Sequence, residues 1–137
     1  MAQTLPETFM DCLKQAEQTG DVSPLVALFA DDAKLLSIVH QRREEGEGGA
    51  EAFWRGYLEP FERISSSFQH IKAADGLAVL EWTSQGRLKT GRDIKYQGVS
   101  LLETIGEKIQ RFRTYYDSAA FLPDGAKVSA GAEAEDA

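Results

Sequence analysis

Two histidines, His40 and His70, have ordinary ionisation near neutrality, so either could serve as a general base. His40 stands where a short apolar run, Ala33–Val39, gives way to the charged, glycine-rich stretch HQRREEGEGG. A strand-to-loop boundary of that kind is a common place for a pocket mouth. His70 alternates with Phe68 and Lys72, which points to a half-buried position on a strand. Asp31 and Asp32 form an adjacent carboxylate pair of the type used in acid–base work. Neighbours in sequence need not face one another, however, and a capping or turn role after Phe29-Ala30 is the simpler reading. Neither histidine shows the paired His/Glu spacing of a metal site, so no metal and no cofactor are expected. Cys12 lies on an apolar helix stripe and reads as a small core residue.

The elements that must position these groups follow from length and patterning. The chain has 137 residues, which suits one domain. It is 42% hydrophobic and 27% charged, near globular averages, with no apolar run long enough to span a membrane. The net charge of −7 disfavours nucleic acid and anionic lipid as partners. One cysteine excludes an internal disulfide framework, and the N-terminal sequence lacks the pattern of a secretory signal, so a cytoplasmic protein is expected. The stretch 123–137 carries Asp124, Glu133, Glu135 and Asp136 against Lys127 and reads as a disordered acidic tail. That leaves residues 5–122 as the folded domain.

Thr4 and Glu7 form a capping box, and Leu5, Phe9, Cys12, Leu13 and Ala16 then recur at helical spacing up to Gly20. Asp21 can cap a short second helix running through Phe29. A third helix is predicted from Phe53 to Ile64, kinked at Pro60, after a loop from His40 to Gly49. Beyond Ser65-Ser66-Ser67 the period changes to two. Strands are predicted over Phe68–Ala73, Leu77–Leu88, Ile94–Ile105 and Lys108–Phe121, with hairpin turns at Asp75-Gly76 and Gly106-Glu107. Helices followed by antiparallel strands indicate an α+β domain with helices on one sheet face. The strands are apolar on both parities, Leu80 and Trp82 on one and Leu77 and Val79 on the other. The second apolar face suggests a C2 homodimer through the outer sheet face.

The segment GDVSPLVALFADDAKL at 20–35, the helix GGAEAFWRGYLEPF and the ending YQGVSLLETIGEKIQRFRTYYD resemble the NTF2-like superfamily, in its SnoaL-like and ketosteroid-isomerase-like branch. The resemblance covers Leu5 to Leu122. It implies a cone in which a strongly bent, mostly antiparallel sheet wraps around three helices from the N-terminal half and encloses an apolar pocket. Ketosteroid isomerase chemistry needs a carboxylate base with a tyrosine and a neutral aspartic acid as oxyanion donors. The corresponding positions here hold Ser37, Leu13 and Ser100, so a true isomerase is not expected. The last strand is similar to the SnoaL-like pattern I-x-R-x-R-x-Y-x-D through Ile109, Arg111, Arg113, Tyr115 and Asp117. By that resemblance Asp117 is the catalytic candidate, with His40 as the second.

Which face of the last strand lines the pocket depends on the turn. A two-residue Gly106-Glu107 turn sets Ser100 opposite Arg113, with Arg113, Tyr115 and Asp117 inward. A three-residue turn sets Ser100 opposite Phe112, with Phe112, Thr114 and Tyr116 inward. Apolar content favours the second. At least three of Trp54, Tyr57, Trp82, Tyr96, Phe112 and Tyr116 are expected to line the pocket, with Ser84 and Ser100 orienting a ligand. Three functions follow: a cofactor-independent acid–base enzyme of isomerase, cyclase or hydrolase type on a small hydrophobic ring or carbonyl compound; a non-catalytic binder of a small apolar molecule; or a dimeric interaction module. An inward carboxylate or histidine would favour the first, and a lining of aromatics and hydroxyls the second.

Overall fold

The computed structural model describes residues 3–38 and 42–122. His40 and the stretch 123–137 expected as an acidic tail therefore lie outside the described residues. The first helix, α1, covers Leu5–Thr19. The Thr4 hydroxyl accepts from the Glu7 N–H at 3.3 Å, while the Glu7 carboxylate accepts from the Thr4 N–H at 3.0 Å. Its other end closes at Gly20 in the left-handed region (φ 81°), a conformation that costs glycine little. Phe9, Leu13 and Ala16 are the buried stripe.

The second helix is shorter than expected. α2 covers only Ser23–Val26, with the Asp21 carboxylate accepting from the Ser23 N–H at 3.0 Å. The Leu28 N–H then bonds back to Leu25 O, and Leu28 O accepts from the Ile109 N–H at 2.8 Å, which draws the chain into the sheet. Strand β1 accordingly runs Phe29–Ser37, and Asp31 and Asp32 lie exposed within it, not at a helix end. Part of the expected loop is also a strand: β2, Arg42–Glu45, pairs antiparallel with β1. Its charged side chains read as a loop, yet an edge strand tolerates charge because one flank meets water.

Helix α3 covers Gly49–Leu58 and stops before Pro60, which has no N–H to continue the ladder. Phe61 and Ile64 are therefore buried from strand β3, Phe61–Ala74, and not from a kinked third helix. The meander continues through β4 (Leu77–Leu88), β5 (Asp93–Ile105) and β6 (Lys108–Tyr116). β6 ends before Phe121, because Asp117 caps a 3-10 turn over Ser118–Phe121.

The six strands form one curved, open sheet in the order β2-β1-β6-β5-β4-β3. Only β1 and β6 are parallel neighbours; the other pairs are antiparallel. The architecture is the α+β cone expected above, with the helices inside the bend. Bulges at Glu62 and Gln69 interrupt the β3–β4 register. Each adds local twist and helps long strands curl.

A further bulge at Gln110 settles the face of the last strand. The turn at Gly106-Glu107 has two residues, since Ile105 pairs with Lys108. The extra residue at Gln110 then shifts the register by one, so Ser100 faces Thr114 and neither Arg113 nor Phe112. One inserted residue reverses the side-chain parity. Phe112 and Thr114 are consequently buried, while Arg113 forms an ion pair with Glu103.

Candidate functional site

The concave side of the sheet and the helices α1 and α3 enclose a cavity of about 570 Å³. Trp54, Tyr57, Trp82, Tyr96, Phe112 and Tyr116 all line it, together with Ser84 and Ser100. The wall also contains Phe9, Phe53, Phe61, Phe68 and Phe121. Strand alternation explains much of this: Leu80, Trp82 and Ser84 share one face of β4, and Tyr96, Ser100 and Leu102 share one face of β5. Gly98 makes room between them. A Cβ there would lie 2.8 Å from the Trp82 ring and 2.3 Å from the Tyr115 carbonyl oxygen.

The aromatic lining forms a continuous packed set. Tyr96 lies 4.8 Å from Phe121, 5.4 Å from Tyr116 and 5.6 Å from Trp82 between ring centroids. At the helix end, Trp54 packs 5.1 Å from Phe112 and 5.0 Å from Phe53. The charged residues of the lining are Arg42 and Glu59. Arg42 reaches from the edge strand β2 over Gly56 of α3, a position that any side chain at 56 would block.

Two hydrogen-bonded groups break the apolar surface. The first begins at Glu17, a residue sequence reasoning passed over. Its carboxylate accepts from the Tyr57 hydroxyl at 2.7 Å, the Ser66 hydroxyl at 2.7 Å and the Ser66 N–H at 2.9 Å. Ser66 continues to Ser84 at 2.6 Å between hydroxyl oxygens. Burial pushes the Glu17 carboxyl up from its ordinary value, against those hydrogen bonds and Lys14, which favour the charged form. Burial likewise raises Tyr57 and Tyr96, so both remain neutral phenols. The available signal was position: Glu17 follows Leu13 by four residues, which sets a carboxylate on the edge of the buried stripe of α1.

The second group is anchored on an indole. Trp82 Nε1–H donates to the Ser100 hydroxyl at 2.9 Å, and Ser100 pairs with the Thr114 hydroxyl at 2.9 Å. Three protons serve two bonds within this group, which leaves one hydroxyl proton over. Trp54 Nε1–H is also buried and has no partner among the described residues. Also on the cavity wall, Ser37 donates to the Tyr116 hydroxyl at 3.4 Å.

The remaining candidates fall elsewhere. Asp117 is exposed, is not among the cavity residues, and its carboxylate accepts from the Ala119 N–H at 3.0 Å. The bulge at Gln110 turns Phe112, Thr114 and Tyr116 inward and leaves Asp117 outside the cavity. His70 is exposed and pairs with Glu81 across β3 and β4. Asp32 accepts from the Gln110 side chain at 2.9 Å on the surface. Cys12 is half-buried against the core, and burial pushes its thiol up, away from the reactive thiolate. Leu13, Ser37 and Ser100, at the positions compared with the isomerase machinery, do converge on the cavity. None of the three can act as a base near neutral pH.

The SnoaL-like domain profile matches residues 8–112. The chain belongs to the SnoaL-like domain family. Solved structures agree on the fold. An NTF2-like protein from Anabaena variabilis is 18% identical, with a TM-score of 0.76 over 85% of this chain and 89% of its own. A protein with a ketosteroid isomerase-like fold from Catenulispora acidiphila, solved in complex with trimethylamine, is 19% identical. Its TM-score is 0.75 over 86% of this chain and 90% of its own. An epoxide hydrolase of the LEH-like type from M. tuberculosis is 16% identical, with a TM-score of 0.67 over 85% of this chain and 82% of its own. At these identities the likeness is one of fold. No curated protein matches the chain in sequence.

Proposed function

We propose that this SnoaL-like protein binds a small hydrophobic ring or carbonyl compound in its internal cavity. The observation that carries this reading is the lining itself. A 570 Å³ space lies within the usual size range of small-molecule sites, and its wall is aromatic with a few placed polar groups. The spare proton on Ser100 or Thr114, with the unpartnered Trp54 N–H, suits a ligand carbonyl as acceptor. Leaving such donors dry costs roughly 1–3 kcal/mol each, which a carbonyl would offset.

Both tryptophans of the chain line the cavity, so their fluorescence reports its occupancy directly. Titration with 1-tetralone, a bicyclic aryl ketone, is expected to quench that fluorescence saturably at one ligand per chain. Ser84→Phe, which fills the space, should abolish the change while the circular dichroism spectrum is retained. A linear, non-saturating response in the wild type would refute the reading.

A second reading is acid–base catalysis of isomerase, cyclase or hydrolase type, and Glu17 favours it as a buried carboxylate bonded to two cavity residues. Turnover of the bound compound that disappears in Glu17→Gln would establish it. The same interpretation includes a cytoplasmic homodimer. Val79, Leu101, Val99 and Tyr115 lie together on the convex face by the strand register, and Leu77 and Tyr115 are each 39% exposed there. Sedimentation of the wild type as a dimer, and of Leu101→Arg as a monomer, would support that arrangement; a wild-type monomer would refute it.

A further inference from the structure

We propose that the Glu17 end of the cavity selects a ligand that donates a hydrogen bond, so the bound compound carries a hydroxyl directed at Ser84 and Tyr57. This rests on the cavity being a ligand site, as argued above. An ionised carboxylate only accepts, so Tyr57 and Ser66 both spend their single hydroxyl proton on Glu17. Ser66 can then only accept from Ser84, which fixes the direction of the 2.6 Å contact and consumes the Ser84 proton. What remains for the cavity is lone pairs, on Ser84 Oγ and on the Tyr57 oxygen. Tyr96 interacts with both residues but has one proton for the two. Each hydroxyl oxygen has two lone pairs, so acceptor capacity stays open whichever of the two that proton serves.

The polarity is fixed from behind, by a carboxylate that three hydrogen bonds hold in place. A ligand carbonyl at this end would meet lone pairs and be repelled. A ligand hydroxyl would complete the chain and share in its charge assistance, since bonds linked to an ionised group are stronger than neutral ones. The opposite end, at Trp82, Ser100 and Thr114, is built on an indole donor and has a proton to give. The structure therefore assigns the two ends of one ligand to two chemistries.

Three matched compounds test this: 1-tetralone, 6-hydroxy-1-tetralone and 6-methoxy-1-tetralone, titrated by calorimetry at pH 8, well above the ordinary carboxylate range. The hydroxy compound is expected to bind the wild type about tenfold tighter than the other two, the gain of one charge-assisted hydrogen bond. Glu17→Gln and, independently, Ser84→Ala should reduce that preference to within about twofold. Equal binding of all three by the wild type overturns the inference and leaves the cavity reading intact. So does a hydroxyl preference that survives in both variants. Should Glu17→Gln fail to fold, the wild-type series and Ser84→Ala decide alone. Binding of none of the three removes the cavity reading itself, and the inference with it.

Discussion

The two ends of the cavity are built from similar parts with opposite results. Ser66 and Ser84 face each other across β3 and β4 at 2.6 Å; Ser100 and Thr114 do so across β5 and β6 at 2.9 Å. Both are buried hydroxyl pairs from neighbouring strands. The first pair ends on a carboxylate that can only accept, the second on an indole N–H that can only donate. A hydroxyl has no fixed polarity, so the group behind it decides what it offers to a ligand. Anchors outside the first layer of contact thus set recognition.

Removing the carboxylate anchor is the severest way to break this contrast. Glu17→Ala strands the Tyr57 and Ser66 hydroxyls and the Ser66 N–H, and should cost about 2–4 kcal/mol in denaturant unfolding. A loss below about 1 kcal/mol would mean that the chain of hydroxyls is not anchored there. Gly98→Ala attacks the other end, because its Cβ would press on the Trp82 ring and the Tyr115 carbonyl. Overpacking of this kind typically costs about 1–3 kcal/mol, and it should weaken 1-tetralone binding by displacing the indole donor. Unfolding curves and the fluorescence titration measure both effects.

Thr114→Val is milder, since the isostere removes one hydroxyl and keeps the volume. It should cost about 1 kcal/mol or less, and weaken 1-tetralone several-fold without changing the preference for the hydroxy compound. An altered hydroxyl preference would show that the two ends are not independent. The smallest effect is on pH dependence. The folded state holds the Glu17 proton to higher pH than the unfolded chain does, so the folded state binds more protons between the ordinary and raised values. This contribution to stability is fully present below the ordinary value of 4.5 and is lost as pH rises through the raised one. Lys14 on the same helix, Tyr57 from α3 and Tyr96 from β5 are the groups coupled to it, and β3 presents Ser66. Thermal melts from pH 4 to 8 should show the stability difference between wild type and Glu17→Gln shifting against the wild type as pH rises, then levelling. A constant difference would place Glu17 at its ordinary value.

The helix cap at Thr4, the hairpins at Asp75-Gly76 and Gly106-Glu107, and the inward aromatics of β4 and β5 were readable because each depends on local chemistry or a two-residue period. The third helix was overextended because Phe61 and Ile64 stand three apart, a helical spacing, whereas in β3 the bulge at Glu62 brings both to the buried face. β2 was hidden by its charge, which an edge position tolerates. Asp117 was drawn from a pattern of residue types, yet its place depends on one bulge and one cap.

By itself the amino-acid order determined the class of fold, the helix ends, the turns and most of the aromatic lining, since these follow from periodicity and from residues with restricted backbones. The tertiary structure alone decided the parity of β6, through the bulge at Gln110, and the pairing of Glu17 with Ser66, 49 positions later. Neither has a local signal. A bulge is a choice between registers that only the packed sheet can weigh, and a buried carboxylate is tolerable only once distant donors have closed around it.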